Sequence, residues 1–186
     1  TSIKKADGTT DLDAGDIRSA NDVSVRYDLA NAVFLLDSSP KVAGDTVQVV
    51  NTQTGAVATG TTQMPYDDTI PQNTEGDEYM TRAITPTSAT NKLKIDVVFF
   101  AEHSLATVRH TAALFQDSTA GALACGNAIS IDGIGSSAII SYSHYMTAGT
   151  ASATTFKIIA GGNGAGTLTF NGSSGARRDG GIMASS

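Results

Sequence analysis

The side chains of this chain that could carry chemistry are three histidines, one cysteine, clustered carboxylates and two adjacent arginines. His103, His110 and His144 show no His-x-His spacing and have no cysteine pair beside them, so the pattern lacks the convergent ligand set of a zinc site. We interpret the histidines as structural or surface residues and expect no metal and no cofactor. One alternative stays open, because three symmetry copies of one histidine on a three-fold axis could hold an ion.

No set of residues has the spacing of an active site. His144 could be combined with one of many serines and aspartates, but there is no Gly-x-Ser-x-Gly elbow, and a triad is defined by geometry rather than composition. Paired carboxylates at 67–68 and 75–78 could serve a glycosidase, yet both lie in polar segments where solvated charges are usual. The glycine-rich run 161–166 lacks the Lys-Ser/Thr of a phosphate-binding loop. We predict that the protein is not an enzyme.

The adjacent arginines are the most specific candidate for binding. Arg177 and Arg178 lie in a glycine-rich segment, and two guanidinium groups can bind the carboxylates of an acidic glycan or of a neighbouring subunit. An exposed charged turn is the alternative. Because loops carry variable function, we predict that Asn127 and Asp132, in the polar stretch 127–137, belong to the same candidate receptor-binding surface.

Composition limits the classes of partner and compartment. The net charge is −6, which disfavours nucleic acid and anionic membranes as partners. No apolar run approaches the roughly 20 residues of a membrane span, so we expect no membrane insertion. Cys125 is the single cysteine and is predicted to be a small buried apolar side chain. Because the chain begins with Thr1, we expect either that Met was removed or that the chain is part of a longer polypeptide.

Short alternating runs dominate the chain after its first forty residues. One run alternates between an apolar face and a charged face, which predicts a half-buried strand. Its apolar face carries Leu93, Ile95, Val97 and Phe99, and its other face carries Lys92, Lys94 and Asp96. Such runs, separated by Gly, Thr, Ser and Asn, predict an all-β jelly-roll sandwich of about 8–10 strands. The other expected strands lie at 47–50, 64–68, 78–85, 107–116, 122–130, 138–146, 153–160, 166–171 and 180–186.

The first forty residues differ from the rest. The runs 23–27 and 32–36, with 28–31 between them, predict a short β-hairpin. A lone hairpin is only marginally stable, so residues 1–40 are predicted to attach to other proteins or to close a preceding domain. Residues 41–186 are then the jelly-roll domain.

Two sets of residues define the expected core and the expected assembly. The predicted core residues are Leu93, Ile95, Leu114, Phe156, Leu168 and Phe170. Several strands also carry adjacent apolar pairs, namely 97–98, 99–100, 114–115, 139–140 and 158–159. A sandwich strand meets the core with only one face. We therefore expect the second face to be covered by another subunit.

Several motifs occur in a fixed order along most of the domain. They are Asp68-Thr69-Ile70-Pro71-Gln72-Asn73-Thr74-Glu75-Gly76, Met80, 84–86, 88–93, 113–117, 144–150, Phe156, 166–172 and 180–186. Together they resemble the end domain of bacteriophage tail-fibre and virion-fibre proteins, and residues 12–36 resemble the hairpin that closes the preceding segment in such fibres. The resemblance implies a homotrimeric jelly roll similar to the tumour-necrosis-factor type, and it implies no catalytic residues.

Three functions follow as expectations, all on the outer surface of a virion. The first is the distal domain of a tail or head fibre that attaches non-covalently to a host surface glycan or protein. The second is a trimeric head-fibre or decoration protein that binds other virion structural proteins through residues 1–40. The third, and weakest, is a tailspike-type polysaccharide hydrolase.

Overall fold

The chain consists of two compact units, Thr1–Val47 and Gln48–Ser186. The computed structural model describes residues 44–131 and 136–186 and, before them, the backbone of strands at 3–4, 25–28 and 33–36. Sequence reasoning placed the division at residue 40, and the role of the first segment stays a prediction.

The first unit contains a three-stranded sheet. Strands β2 (Val25–Asp28) and β3 (Val33–Leu36) are antiparallel, with Val25 opposite Leu36. This is the predicted hairpin. Strand β1 (Ile3–Lys4) adds to β3 in parallel, which the sequence did not indicate.

The second unit is an all-β sandwich, as predicted. Its strands are β4 (Ala58–Gly60), β5 (Asp77–Ile84), β6 (Lys92–His103), β7 (Val108–Gln116), β8 (Ala124–Ser130), β9 (Ser137–Thr147), β10 (Thr154–Gly162), β11 (Leu168–Phe170), β12 (Gly172–Ser173) and β13 (Ala176–Arg177). The first sheet has the order β5-β10-β7-β8 and the second sheet has the order β4-β11-β6-β9. From β4 to β11 the chain changes sheet at every step except β7 to β8, and this winding is that of a jelly roll.

Strand β6 shows how the alternating pattern builds the second sheet. Val97 and Phe99 are buried against the first sheet, as the sequence predicted. On the opposite face, Lys94 Nζ lies 2.7 Å from Asp96 Oδ2 in an exposed ion pair. A period of two residues therefore sorts apolar and charged side chains onto opposite faces.

An aromatic cluster joins the two sheets at the centre of the core. Phe99 and Phe170 of the second sheet have ring centroids 5.0 Å apart. Tyr79 of the first sheet lies 5.6 Å from Phe99, edge to face, and 5.3 Å from Phe170. Such pairs add to the stabilisation from burial. Of the other predicted core residues, Leu114 and Leu168 are buried, while Leu93, Ile95 and Phe156 are only partly buried because they lie near the ends of their strands.

The segment between β4 and β5 covers the part of the first sheet's outer face that β7 and β10 form. Met64 is fully buried and packs with Phe115 and Ile159, which point away from the main core. Tyr66 is held by Arg109, whose guanidinium carbon lies 4.7 Å above the ring centroid. The expectation that another subunit covers the second apolar side chain of pairs 114–115 and 158–159 is therefore wrong, because the chain itself covers them.

Three expected strands are absent from the described residues. Residues 47–50 form no strand, and Val49 is 78% exposed. Residues 64–68 form no strand either, because this segment crosses the first sheet rather than joining it. In 180–186 the chain makes a 3-10 turn at Asp179–Gly181 and then a single bridge between Ser185 and Thr54.

A buried asparagine links this bridge to the second sheet. Asn171, at φ +51°, ends β11, and its Nδ2 donates to Thr54 O at 2.6 Å. Its Oδ1 accepts a hydrogen bond from Ser185 Oγ at 2.7 Å, and Ser186 then pairs with Val98. Strand β6 therefore pairs along the same edge first with β11 and then with the last residues of the chain. Asn171 satisfies the buried polar groups where these two segments meet.

Cys125 is exposed, which contradicts the prediction that it is buried. In β8 the inward positions are Ala124, Gly126 and Ala128, so the alternation turns Cys125 outward on an edge strand. We expect the native protein to react with one equivalent of Ellman's reagent per chain without denaturant. A thiol that reacts only after unfolding would contradict this placement.

Candidate functional site

An apolar patch lies on the outer face of the second sheet, away from the core. Val98 and Phe100 of β6 alternate with core residues and are half-buried, and Ile139, opposite Phe100, is 60% exposed. Strand β9 is the edge of this sheet and runs for 11 residues. A long edge strand beside exposed apolar side chains is typical of a surface that pairs with another chain. We call Val98, Phe100 and Ile139 the β6–β9 patch.

The hairpin β12–β13 covers another part of the same outer face. Its tip is held by two backbone donors: Ser174 N donates to the Glu102 carboxylate, and Gly175 N donates to Thr169 Oγ1 at 3.1 Å. Because Glu102 and Thr169 face each other across β6 and β11, the hairpin must lie on the sheet surface. Arg177 therefore belongs to this face.

The structure does not bring the predicted receptor-binding residues into one loop cluster. Arg177 and Arg178 are exposed at the base of the β12–β13 hairpin, beside the second sheet. Asn127 is exposed in the middle of strand β8 of the first sheet, opposite Thr111, rather than in a loop. Asp132 lies outside the described residues. Whether any of these residues binds a receptor stays a prediction.

Two of the three histidines, His103 and His110, are neighbours, and His144 lies apart from them opposite Ile95. His103 and His110 are 1% and 0% exposed, and His144 is half-buried in β9. Burial lowers the pKa of His110 to about 4, helped by the neighbouring His103, and burial also lowers the pKa of His103. Neither ring nitrogen of His110 has a hydrogen-bond partner within the described residues. In that part of the chain, no group of three His, Cys, Asp or Glu side chains is placed to hold a metal ion.

The carboxylates considered for glycosidase chemistry make local hydrogen bonds. Asp67 accepts bonds from the backbone and hydroxyl of Thr69, which lower its pKa. Asp77 accepts bonds from the backbone and hydroxyl of Thr62 at 3.0 and 2.9 Å. Glu75 accepts a bond from a backbone N–H at 2.8 Å. Asp67 and Glu75 thus stabilise the turns in which they lie, and Asp77, at the start of β5, fixes the β4–β5 segment at Thr62.

A cleft of about 330 Å³ opens on the outer face of the first sheet. Its floor is apolar and consists of Phe115 and Ile159, which are 1% and 6% exposed. Lys157 and Glu78 stand on the same face, and Lys157 Nζ lies 3.0 Å from Glu78 Oε2. Four neighbouring side chains from three antiparallel strands therefore form the base of this cavity, which we call the Lys157 cleft.

Two loops form the walls of the Lys157 cleft. Asn73 and Gly76 belong to the β4–β5 segment, and Asp117 and Ser118 follow β7. The walls are tied together, since Asn73 N donates to Ala120 O at 2.7 Å. Asp117, at φ +52°, accepts bonds from Thr155 N at 2.7 Å and Thr154 Oγ1 at 2.9 Å.

Sequence reasoning missed the Lys157 cleft because its lining comes from three separate segments of the chain, 73–78, 115–118 and 157–159. Only Lys157 gave a local signal, as a charged residue inside the apolar run 156–160. Strand pairing then set Lys157 opposite Phe115 and Ile159 opposite Glu78. The register of three strands, which no single segment encodes, brings these residues together.

No helix within the described residues is long and apolar enough to cross a membrane. The 3-10 turn at Asp179–Gly181 is the helical element found in that part of the chain. The surfaces that remain for function are the β6–β9 patch, the hairpin with Arg177, and the Lys157 cleft. In comparisons with known proteins, no family model and no curated sequence matches this chain.

Proposed function

We propose that this chain is the distal domain of a virion surface fibre, and that it acts as a homotrimer in non-covalent attachment to a host surface. The observation that carries the proposal is the exposed β6–β9 patch on a jelly roll whose other sheet has the outward apolar side chains of β7 and β10 covered by its own chain. The jelly-roll winding agrees with the fold that the fibre-like motifs imply. The function is binding rather than catalysis.

The distribution of apolar surface supports trimerisation through the β6–β9 patch. On the first sheet, the outward side chains Ala113 and Phe115 are covered by Met64 within the chain. On the second sheet, Ile139 remains 60% exposed beside an unpaired edge strand. Burying this face around a three-fold axis removes both apolar surface and the strand edge from solvent. We expect an interface larger than about 1,000 Å².

We expect Ile139→Asp to convert the trimer into monomers, because a carboxylate buried at the interface would lose its hydration without a partner. Ile70→Asp is the matched control, since Ile70 is 62% exposed and lies in the β4–β5 segment. Light scattering after size exclusion at micromolar concentration measures the mass. A monomeric parent chain, or a trimeric Ile139→Asp variant, would exclude this interface.

Attachment is tested on virus particles. Particles that lack residues 48–186 should adsorb to host cells much more slowly than the parent, because three weak sites acting together provide the avidity. Adsorption at the parental rate would reject attachment in favour of a decoration role. Incubating the purified chain with host polysaccharide, and finding new reducing ends, would instead support a hydrolase.

A further inference from the structure

We propose that the Lys157 cleft binds one neutral sugar residue of a glycan. The volume of about 330 Å³ lies at the lower end of ligand cavities, which run from about 300 to 1,000 Å³. A single sugar ring fits such a space, whereas a folded peptide does not. Sugar binding by the cleft does not depend on the proposed attachment function. Only the source of the glycan, the host surface, rests on that function.

The polar groups of the cleft match the chemistry of hydroxyls. The Glu78 carboxylate is an acceptor only, and the Lys157 ammonium, 3.0 Å away, is a donor only. A sugar hydroxyl both donates and accepts, so two adjacent hydroxyls can bind both groups at once. Asn73 and Ser118 also line the cleft, and their amide and hydroxyl groups are of the kind that binds a third hydroxyl.

The charges of the cleft favour a neutral ligand. Glu78 and Asp117 supply two carboxylates against the single ammonium of Lys157, and the whole chain has a net charge of −6. An acidic sugar would therefore meet repulsion. A cationic ligand would compete with Lys157 for Glu78 and leave the ammonium group unpaired. This selectivity differs from that expected for the Arg177–Arg178 pair, which would bind acidic groups.

The cleft is held in shape before any ligand arrives. One wall is bonded to the other through Asn73 N and Ala120 O at 2.7 Å and through Ala122 N and Pro71 O at 2.9 Å. Gly76, at φ +76°, lets the wall approach the sheet, because a Cβ there would lie 2.6 Å from Ala160 O. A preformed site loses less conformational entropy on binding. Weak binding to one sugar is then sufficient when three copies act together.

The test uses the purified 186-residue chain and amide NMR titrations. The neutral probes are the methyl glycosides of glucose, galactose, mannose and N-acetylglucosamine, and the acidic probe is N-acetylneuraminic acid. We expect at least one neutral glycoside to shift the amides of Ser118 and Lys157 with a Kd of about 1–10 mM. The acidic probe should bind about tenfold more weakly or not at all.

Substitutions then assign the binding to the cleft. Glu78→Ala and, separately, Lys157→Ala should weaken binding by about tenfold, because each removes a charge-assisted hydrogen bond. Asp96→Ala is the control: it breaks a more exposed Lys–carboxylate ion pair, with Lys94, on the other sheet. The double change Arg177→Ala and Arg178→Ala should also leave the neutral glycoside bound.

Two results would overturn the proposal: no neutral glycoside shifts the cleft amides at about 50 mM, or Glu78→Ala and Lys157→Ala both bind as the parent chain does. These outcomes are separable from failure of the attachment function. Loss of attachment is measured by adsorption of particles lacking the domain, whereas the titrations measure the isolated chain. Sugar binding by the chain, with normal adsorption of those particles, would uphold the cleft and reject only the host surface as the source.

Discussion

Replacing Phe170 with alanine is expected to lower the free energy of unfolding by about 3–5 kcal/mol, the usual range for a buried Phe→Ala change. Phe170 is 1% exposed and contacts both Phe99 and Tyr79, so the change opens a cavity where the two sheets meet. The surrounding strands are hydrogen-bonded on both sides of β11 and cannot collapse into the space. Chemical denaturation at matched protein concentration measures the loss, because trimerisation would make stability depend on concentration.

Phe156→Ala is the matched control for this change. Phe156 lies opposite Gln116, the last residue of β7, at one end of the first sheet. It is only partly buried in the native protein. Its loss should therefore be clearly smaller than that of Phe170. Equal losses at the two positions would show that the aromatic cluster is not the centre of the core.

Acidification is expected to destabilise the native protein by about 3 kcal/mol per chain through His110 alone. Burial lowers the pKa of His110 from 6.5 to about 4, so below pH 6.5 the unfolded chain binds a proton that the native protein does not. The stability contributed by neutral His110 is complete above pH 6.5 and decreases as the pH falls toward 4. Below that pH both states are protonated and this contribution changes no further.

His110→Leu should reduce the stability lost between pH 6.5 and 4 while leaving the protein folded at neutral pH. Leucine has a similar volume and needs no hydrogen-bond partner at a position that is 0% exposed. The control is His144→Leu, which keeps both fully buried histidines. Thermal unfolding of the parent and the variant at the same series of pH values separates the effect of His110 from that of the carboxylates, which both proteins share. An NMR titration of the His110 ring measures its pKa directly. A His110 ring that titrates near 6.5 would contradict this prediction.

The sequence determined the fold class and most of the strands. The alternation of Leu93, Ile95 and Val97 with charged residues specifies which face of β6 is buried, because the side-chain period of a strand is two. The predicted runs at 78–85, 107–116 and 138–146 correspond to β5, β7 and β9. The N-terminal hairpin was likewise readable from its two apolar runs, since the signal is local. The resemblance to phage fibres, and the trimer that it implies, stay predictions.

Only the tertiary structure decided what covers each second apolar face. In sequence, the apolar pairs 114–115 and 158–159 resemble the pair 139–140. In the structure, Met64 covers Phe115 and Ile159, whereas Ile139, on the other sheet, stays exposed. A segment that crosses a sheet as a covering loop has no periodic signal, so 64–68 resembled a strand. Exposure of Cys125 and the Lys157 cleft follow in the same way from strand order and register. Those features depend on contacts between residues far apart in the chain, whereas periodicity reports only the neighbours along it.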